Sequence, residues 1–425
     1  MGNDAVTSLI TPPLLSQPEP VNLRSSRPMF PDVGVIALVP DSWHWQWQPR
    51  HQVMTRLARF FPVVWMNPAE YWRKAFASGG QLREPDFSPI PDTDFVVHTS
   101  SRFLPLFYSP RAIASYTLSK RLQSGREILL RKGCKKIVLY LWRPEFALAL
   151  DHVPHDLACY HIDDEYTFSS TDTPVTSEER QLITRANHVF IHSPALLEKK
   201  GALNPNTTFA PNGVDFDSFA KPVPEPEDLR AIPHPRVGYC GHLKKQLDWP
   251  LLTELAAQHP EWSFVFVGAA NSHPEIVAFI ERLSQFKNVK FLGSKTAQEL
   301  ANYPQHFDVC IMPYVQDDYT KYIYPLKLHE YLAGGRPVVG TPIPSLLPFR
   351  ESIQLPQSTP AWSLAIAESL KPSANSSAAR TARQAVAKAQ DWKILVQGIA
   401  QEIASHLGPS YKALFEKLRN QSAGS

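Results

Sequence analysis

Residues Tyr324–Thr341 read Tyr-Pro-Leu-Lys-Leu-His-Glu-Tyr-Leu-Ala-Gly-Gly-Arg-Pro-Val-Val-Gly-Thr. Pro325 suits the first turn of a helix, where its missing N–H costs nothing. Gly334 or Gly335 can supply the left-handed residue that stops such a helix. Val338 and Val339, between Pro337 and Gly340, read as a short buried strand. A helix of about two to three turns therefore feeds a parallel strand. Lys327 and Glu330 are three apart and share one helix face. Leu328, Tyr331 and Leu332 lie on the other side and can bury it. A cation and N–H groups near a helix start suit a diphosphate. A carboxylate one turn on suits the two hydroxyls of a ribose. Taken alone, the same pair also fits an ordinary capped helix with an exposed ion pair.

Upstream, strands and helices alternate. Arg236-Val-Gly-Tyr-Cys240 is a strand, followed by Gly241-His242-Leu243-Lys244-Lys245. A glycine and then a basic loop let backbone approach a phosphate closely. The loop does not fit Gly-x-Gly-x-x-Gly, which disfavours a hydride-transfer dinucleotide site. Pro250–His259 and Pro274–Phe286 read as helices. Ser263–Val267, Val289–Leu292 and Val309–Met312 read as strands. Thr296-Ala-Gln-Glu299 is a capping box. Pro313–Tyr319 leads into the opening stretch. Downstream, helices are expected at Trp362–Leu370, Ala378–Ala389 and Trp392–Leu407. His329-Glu330 is not a zinc motif, because Ala333 stands where a second His is needed.

The first half repeats the alternation. Val33–Val39 is continuously apolar, as a strand buried on both faces should be. Trp43-His-Trp45-Gln-Trp47-Gln-Pro-Arg50-His51 follows it. In open α/β sheets ligands gather beyond the carboxyl ends of strands. Trp45, Arg50 and His51 are therefore candidate acceptor contacts, although the tryptophans also suit packing under the next helix. Val53–Phe60 is that helix. Val63–Met66, Phe95–Val97, Ile137–Leu141 and Leu157–Ile162 are strands. Asp163, Asp164 and Glu165 stand at the end of the last, where a carboxylate can act as a general base. Asp163 is preferred because it directly follows the strand, with Asp164 second. A solvated turn would use the same residues. Ser177–Asn187 reads as a helix, His188–Ser193 as a strand and Leu196–Lys200 as a short helix. Pro211-Asn-Gly-Val-Asp215 is a turn.

At 425 residues the chain suits two ordinary domains plus tails. The boundaries read as a Pro- and Ser-rich disordered lead-in (1–31), an N-terminal α/β domain (32–220), a stiff linker (221–235), a C-terminal α/β domain (236–390) and C-terminal helices (391–425); the resemblance drawn below implies that the first domain binds acceptor, that the second binds the nucleotide-sugar, and that the last helices cross back to the first domain. A net charge of +3 is too mild to imply nucleic acid. The four cysteines lack metal spacing and read as reduced core residues. No apolar run approaches the ~18 residues of a spanning helix. The N-terminus lacks a basic region followed by an apolar core, so the reading is cytoplasmic. Segment 103–136 joins Phe103, Leu104, Leu106, Phe107 and Tyr108 to a basic run. Such a segment can sit on the inner face of an anionic membrane, or simply be a solvated helix face.

Pro325–Val339 resembles the Pro-x-Lys-x-x-Glu-Tyr-Leu-Ala-x-Gly-x-Pro-Val-Val site of family-4-type GT-B glycosyltransferases, nearest to teichuronic-acid-type and glucuronosyl transferases of bacterial polysaccharides. The resemblance implies two facing Rossmann-like doubly wound parallel-sheet domains with a cleft. It implies transfer from a nucleotide-diphospho-sugar, UDP-linked, to a saccharide or lipid-linked acceptor. It implies donor contacts at Gly241, His242, Lys244, Tyr324, Lys327 and Glu330, a base at Asp163 or Asp164, and no cofactor or obligatory metal. Pro211–Asp215 resembles the motif that closes the first GT-B domain. Many family-4 enzymes carry a second Glu eight residues before the ribose-binding one. Tyr322 stands there, which weakens transfer of the retaining mechanism. A base at Asp163 or Asp164 implies inversion, the favoured reading; same-face attack without one implies retention. An epimerase of GT-B shape and a non-catalytic sugar-binding module remain the alternatives.

Overall fold

The computed structural model describes residues 27–73, 86–90, 93–101, 103–106, 109–166 and 171–422. Most of the disordered lead-in expected at 1–31 lies outside the described residues, as do Phe107 and Tyr108 of the basic–aromatic segment.

One unit is built on β1 (Val33–Leu38), α1 (Pro49–Leu57), β2 (Val63–Met66), β3 (Phe95–His98), α2 (Arg111–Arg131), β4 (Lys136–Leu141), β5 (Leu157–Ile162), α3 (Ser177–Arg185), β6 (His188–Ile191), α4 (Pro194–Lys200) and β7 (Thr207–Phe209). Its seven strands are all parallel, in the order β3-β2-β1-β4-β5-β6-β7. β1 and β5 are buried along their whole length. Helices cover both faces of such a sheet, so its inner strands lose the polar alternation of a half-exposed strand.

The other unit holds β8 (Arg236–Cys240), α5 (Trp249–Gln258), β9 (Ser263–Val267), α6 (Pro274–Leu283), β10 (Val289–Phe291), β11 (Val309–Met312), α7 (Leu326–Ala333), β12 (Val338–Gly340), α8 (Thr359–Leu370) and α9 (Ser377–Lys388). Its five strands are also parallel, in the order β10-β9-β8-β11-β12. α7 ends as the sequence allows: Gly334 stays right-handed, and Gly335, at φ +71°, takes the left-handed position.

Three boundaries differ from expectation, each for a local reason. α1 starts four residues early. Pro49 supplies a preset φ at its first position, and His51 Nδ1 accepts from the Gln48 N–H at 3.1 Å. Arg50 and His51 therefore belong to a helix rather than a loop. The segment read as a stiff linker is an integral arm of the second unit. Leu229 and Ile232 enter its core, Arg236 pairs with Glu225, and the Tyr303 hydroxyl donates to Asp228 at 3.0 Å. The second unit takes in Asn212–Trp392, so Asn212-Gly-Val-Asp215 is grouped with it.

The chain from Lys393 on belongs to the unit of the seven-stranded sheet. It contains most of α10 (Trp392–Leu407) and all of α11 (Pro409–Ser422), a helix the sequence reading did not anticipate. Gly408, at φ +125°, separates the two helices. Phe415 stacks on Phe30, and the Tyr411 hydroxyl donates to Asp32 at 2.9 Å.

Four buried histidines make the fold acid-sensitive. Burial pushes His51, His161 and His329 down to about 3 and His192 to about 4. In the unfolded chain each titrates near 6.5. The stability they contribute is therefore present above pH ~6.5 and is lost as pH falls toward their folded values. Each costs up to about 1.4 kcal/mol per pH unit in that window. We expect the thermal midpoint to fall steeply between pH 6.5 and 4.5; a flat profile there contradicts their burial as neutral rings.

Candidate active site

Strand order reverses beside β1 and β4 in the first sheet, and beside β8 and β11 in the second. Crevices open at the carboxyl ends of strands where the order reverses, and ligands bind there. The sequence-predicted residues gather near these ends.

In the second unit Gly241 directly follows β8 at φ +137°. A Cβ there would lie 2.3 Å from Lys327 Cε and 2.5 Å from its Nζ. The lysine side chain thus crosses the glycine, and any added Cβ would push its end aside, at a backbone φ that itself favours glycine. Lys327 Nζ lies 5.2 Å from the centre of the Tyr239 ring, within cation–π range. The Tyr239 hydroxyl donates to the His242 carbonyl at 3.1 Å, which ties the basic loop to the strand beneath it. The Tyr331 hydroxyl accepts from the Cys240 N–H at 2.8 Å and pins α7 to the end of β8.

Lys327 and Glu330 are both half-buried. Among the described residues neither forms an ion pair within 4 Å, with the other or with any third group. Burial raises the Glu330 carboxyl above its ordinary range, against the opposing pull of the Lys327 ammonium. The exposed helix ion pair that the spacing also allowed is therefore not formed. His242 is exposed, but desolvation by the surrounding protein, with the ammonium groups of Lys244 and Lys327, lowers its pKa. Lys244 is half-buried, with its carbonyl accepting from Trp249 Nε1 at 3.2 Å.

Tyr324 is placed differently from expectation. It is 6% exposed, its ring stacks on His329, and its hydroxyl lies 3.0 Å from His329 Nε2. Its carbonyl accepts from Asn212 Nδ2 at 2.8 Å. Tyr324 therefore anchors the start of α7 through these contacts.

In the first unit Arg50 is buried and pairs with Asp41, from the loop after β1, and with Asp163 at 2.9 Å. Its guanidinium also stands 6.0 Å from the Trp142 ring, at the end of β4. Asp163 keeps only 4% of its side-chain surface exposed. Behind it, His161 stacks on Trp142 at 4.2 Å, and its Nδ1 lies 2.8 Å from the Tyr140 hydroxyl. Three strand ends and α1 thus converge on one charged cluster.

The expected trio of carboxylates divides. Asp164 Oδ1 accepts from the Glu165 N–H at 2.8 Å, closing a local turn. Glu165 is drawn away by Lys199 and Lys200, and Lys200 Nζ also binds Glu179 at 2.8 Å. Glu165 is thus a buried structural anion.

The aromatic loop divides too. Trp45 is 57% exposed and available to a ligand. His51 is completely buried; its ring stacks on Trp47 at 4.7 Å and lies 4.5 Å from that of Trp65. His51 thus serves capping and packing. Sequence reading missed Asp41, Trp142 and Tyr239. A lone acid in a loop, or an aromatic in a strand, gives no sign of which charge it meets.

Residues 234–367 match the family described as glycosyl transferases group 1. A putative teichuronic acid biosynthesis glycosyltransferase of Bacillus subtilis, TuaH, is 29% identical over 234 residues, 53% of this chain and 58% of that protein. The match thus spans less than two thirds of that relative. Among solved structures, Anabaena HepE in complex with UDP and glucose superposes with a TM-score of 0.62 at 16% identity, over 88% of this chain and 99% of that one. An α,α-trehalose-6-phosphate synthase from Burkholderia multivorans gives 0.60 at 13% identity, over 88% and 98%. At such identities the likeness is one of fold. Residues 234–367 thus match the glycosyl transferases group 1 model, and the two all-parallel α/β units share the GT-B fold of these structural neighbours.

Proposed function

We propose that the protein transfers a sugar from a UDP-sugar to a saccharide or lipid-linked acceptor in bacterial polysaccharide synthesis. The observation that carries this reading is the pair Lys327 and Glu330, half-buried, three residues apart and without an ion-pair partner within 4 Å among the described residues. Leaving polar groups this far desolvated is unfavourable unless a ligand completes them. A diphosphate meets the lysine, and ribose hydroxyls donate to the carboxylate, favouring its charged form. Tyr239 and Gly241 hold the lysine in place, with His242 and Lys244 flanking the phosphates. The UDP bound to HepE and the similarity to TuaH, a putative teichuronic acid biosynthesis glycosyltransferase, support the donor and pathway.

In the transfer, Asp163, or Asp164 beside it, takes the proton of the acceptor hydroxyl as its oxygen attacks the anomeric carbon. The bond from that carbon to the diphosphate breaks, and UDP leaves with its new charge met by Lys327 and the first N–H groups of α7. These groups act without an obligatory metal. Attack from the face opposite UDP inverts the anomeric centre. Arg50 orients Asp163, and Trp45 offers an exposed ring to a sugar face.

A lipid-linked acceptor suits segment 103–136, where Phe103, Ile113 and Tyr116 are exposed beside Arg111 and Lys120. Arg121 leaves the basic face: it is buried and donates to the Leu104 and Pro105 carbonyls. Among the described residues no helix is long and apolar enough to cross a membrane. Peripheral contact is the reading this surface supports.

The test is a transfer assay with labelled UDP-sugars, run with and without a bacterial lipid and glycan extract. Label is expected to move only when extract is present, and anionic vesicles are expected to carry the protein in flotation. Donor altered without any acceptor indicates an epimerase. Donor bound but never consumed indicates a binding module. Flotation equal on neutral and anionic vesicles removes the membrane contact.

A further inference from the structure

At the amino-terminal edge of the seven-stranded sheet, away from the strand ends that carry Asp163, a second chemical cluster stands. His188 opens β6, while Glu402 and His406 lie one turn apart on the last stretch of α10. Positions four apart share a helix face, so both side chains of α10 are offered to the same neighbour. Each of the three residues has a ligand atom within 4.8 Å of those of the other two. The two imidazole rings are 4.8 Å apart, edge to face.

The hydrogen bonds around the cluster decide which ring nitrogens point inward. His406 Nδ1 lies 3.0 Å from the Glu402 backbone carbonyl. A carbonyl only accepts, so Nδ1 carries the hydrogen and Nε2 keeps its lone pair. His188 Nε2 lies 3.0 Å from Thr208 Oγ1. Its Nδ1 is buried and has no hydrogen-bond partner, although the residue is only 3% exposed. With Nε2–H donating to the threonine, the orphaned Nδ1 presents a lone pair. Each histidine thus has one nitrogen fixed by an outer partner and the other left to bind, the arrangement typical of metal-ligating imidazoles.

We propose that His188, Glu402 and His406 form a structural site for a divalent transition metal, best fitted to Zn2+, that clamps α10 to the edge of the first sheet. Two imidazoles and one carboxylate are a normal zinc donor set, with water as the fourth ligand. Zinc bonds of ~2.0–2.2 Å require the side chains to draw together from their present spacing. His406 is exposed and Glu402 half-exposed, so both have room to move. The orphaned His188 nitrogen is satisfied only when they do. The site binds the chain's return segment to strands laid down much earlier, so metal occupancy and folding are linked.

The test uses the full-length protein, stripped with a chelator and dialysed. ZnCl2 is expected to bind with about one equivalent and to raise the thermal midpoint. CoCl2 is expected to give the visible absorption of a tetrahedral N/O site, and MgCl2 to do neither. His406→Ala, an exposed position whose loss leaves the core intact, is expected to weaken Zn2+ binding by at least ~100-fold, with Glu402→Gln intermediate. UDP binding is expected to be unchanged in both, because neither residue belongs to the group proposed to hold the nucleotide. Absence of Zn2+ binding overturns the proposal. So does binding equally tight in wild type and His406→Ala, which places the ion elsewhere.

Discussion

Asp163→Asn is expected to lower kcat by about 10²–10⁴-fold, the usual worth of a general base, while UDP binds as tightly as before. The amide matches the carboxylate in shape. Arg50 retains its other carboxylate partner, Asp41, so the variant should fold. Removing one partner of a buried ion pair still has a stability cost. A fall in thermal midpoint is therefore expected alongside the loss of turnover, and UDP affinity separates the two effects. Asp164→Asn, made in parallel, assigns the proton transfer between neighbours. Full turnover in both variants removes the base from this cluster. The anomeric configuration of the product, read by NMR, then follows: inversion if one of these carboxylates acts, retention if neither does.

Lys327→Met should weaken UDP binding by roughly 10- to 150-fold, the equivalent of ~1.5–3 kcal/mol for a lost charged hydrogen bond. Methionine keeps an apolar chain across Gly241 and over the Tyr239 ring, so the change is largely one of charge. Uridine, which has no phosphates, should bind both proteins alike. Affinity for UDP should also depend less on salt in the variant, since one charge contact is gone. An unaltered UDP affinity, or an equal loss for uridine, places the lysine away from the phosphates.

Much of this organisation is legible in the residues. β1 is an unbroken apolar run, and β4 after Lys136 and β5 apart from His161 are nearly so, the pattern that burial on both faces of a parallel sheet requires. The Lys327/Glu330 face was equally readable, because a helix turns sequence spacing directly into geometry. What escaped reading depends on side chains acting as local structure, or on residues far apart. The early start of α1 rests on an imidazole closing a cap. The arm before β8 looked like a Pro-rich spacer, yet Leu229 and Ile232 seat it in the core. Asp163, Asp164 and Glu165 are adjacent in sequence, but two lysines of α4 draw Glu165 away. The pairing of Arg50 with Asp163, and of His188 with His406, crosses long loops that no spacing rule records.

The account turns on whether α7 grips the diphosphate and pentose of a nucleotide. Calorimetric titration of wild type and Glu330→Ala with UDP and with 2′,3′-dideoxy-UDP addresses that directly. The predicted result is one UDP bound per wild-type chain, a marked preference over the dideoxy analogue, and loss of that preference in the variant. Failure of UDP to bind wild type, or a Glu330→Ala protein that still distinguishes the two nucleotides, would contradict it.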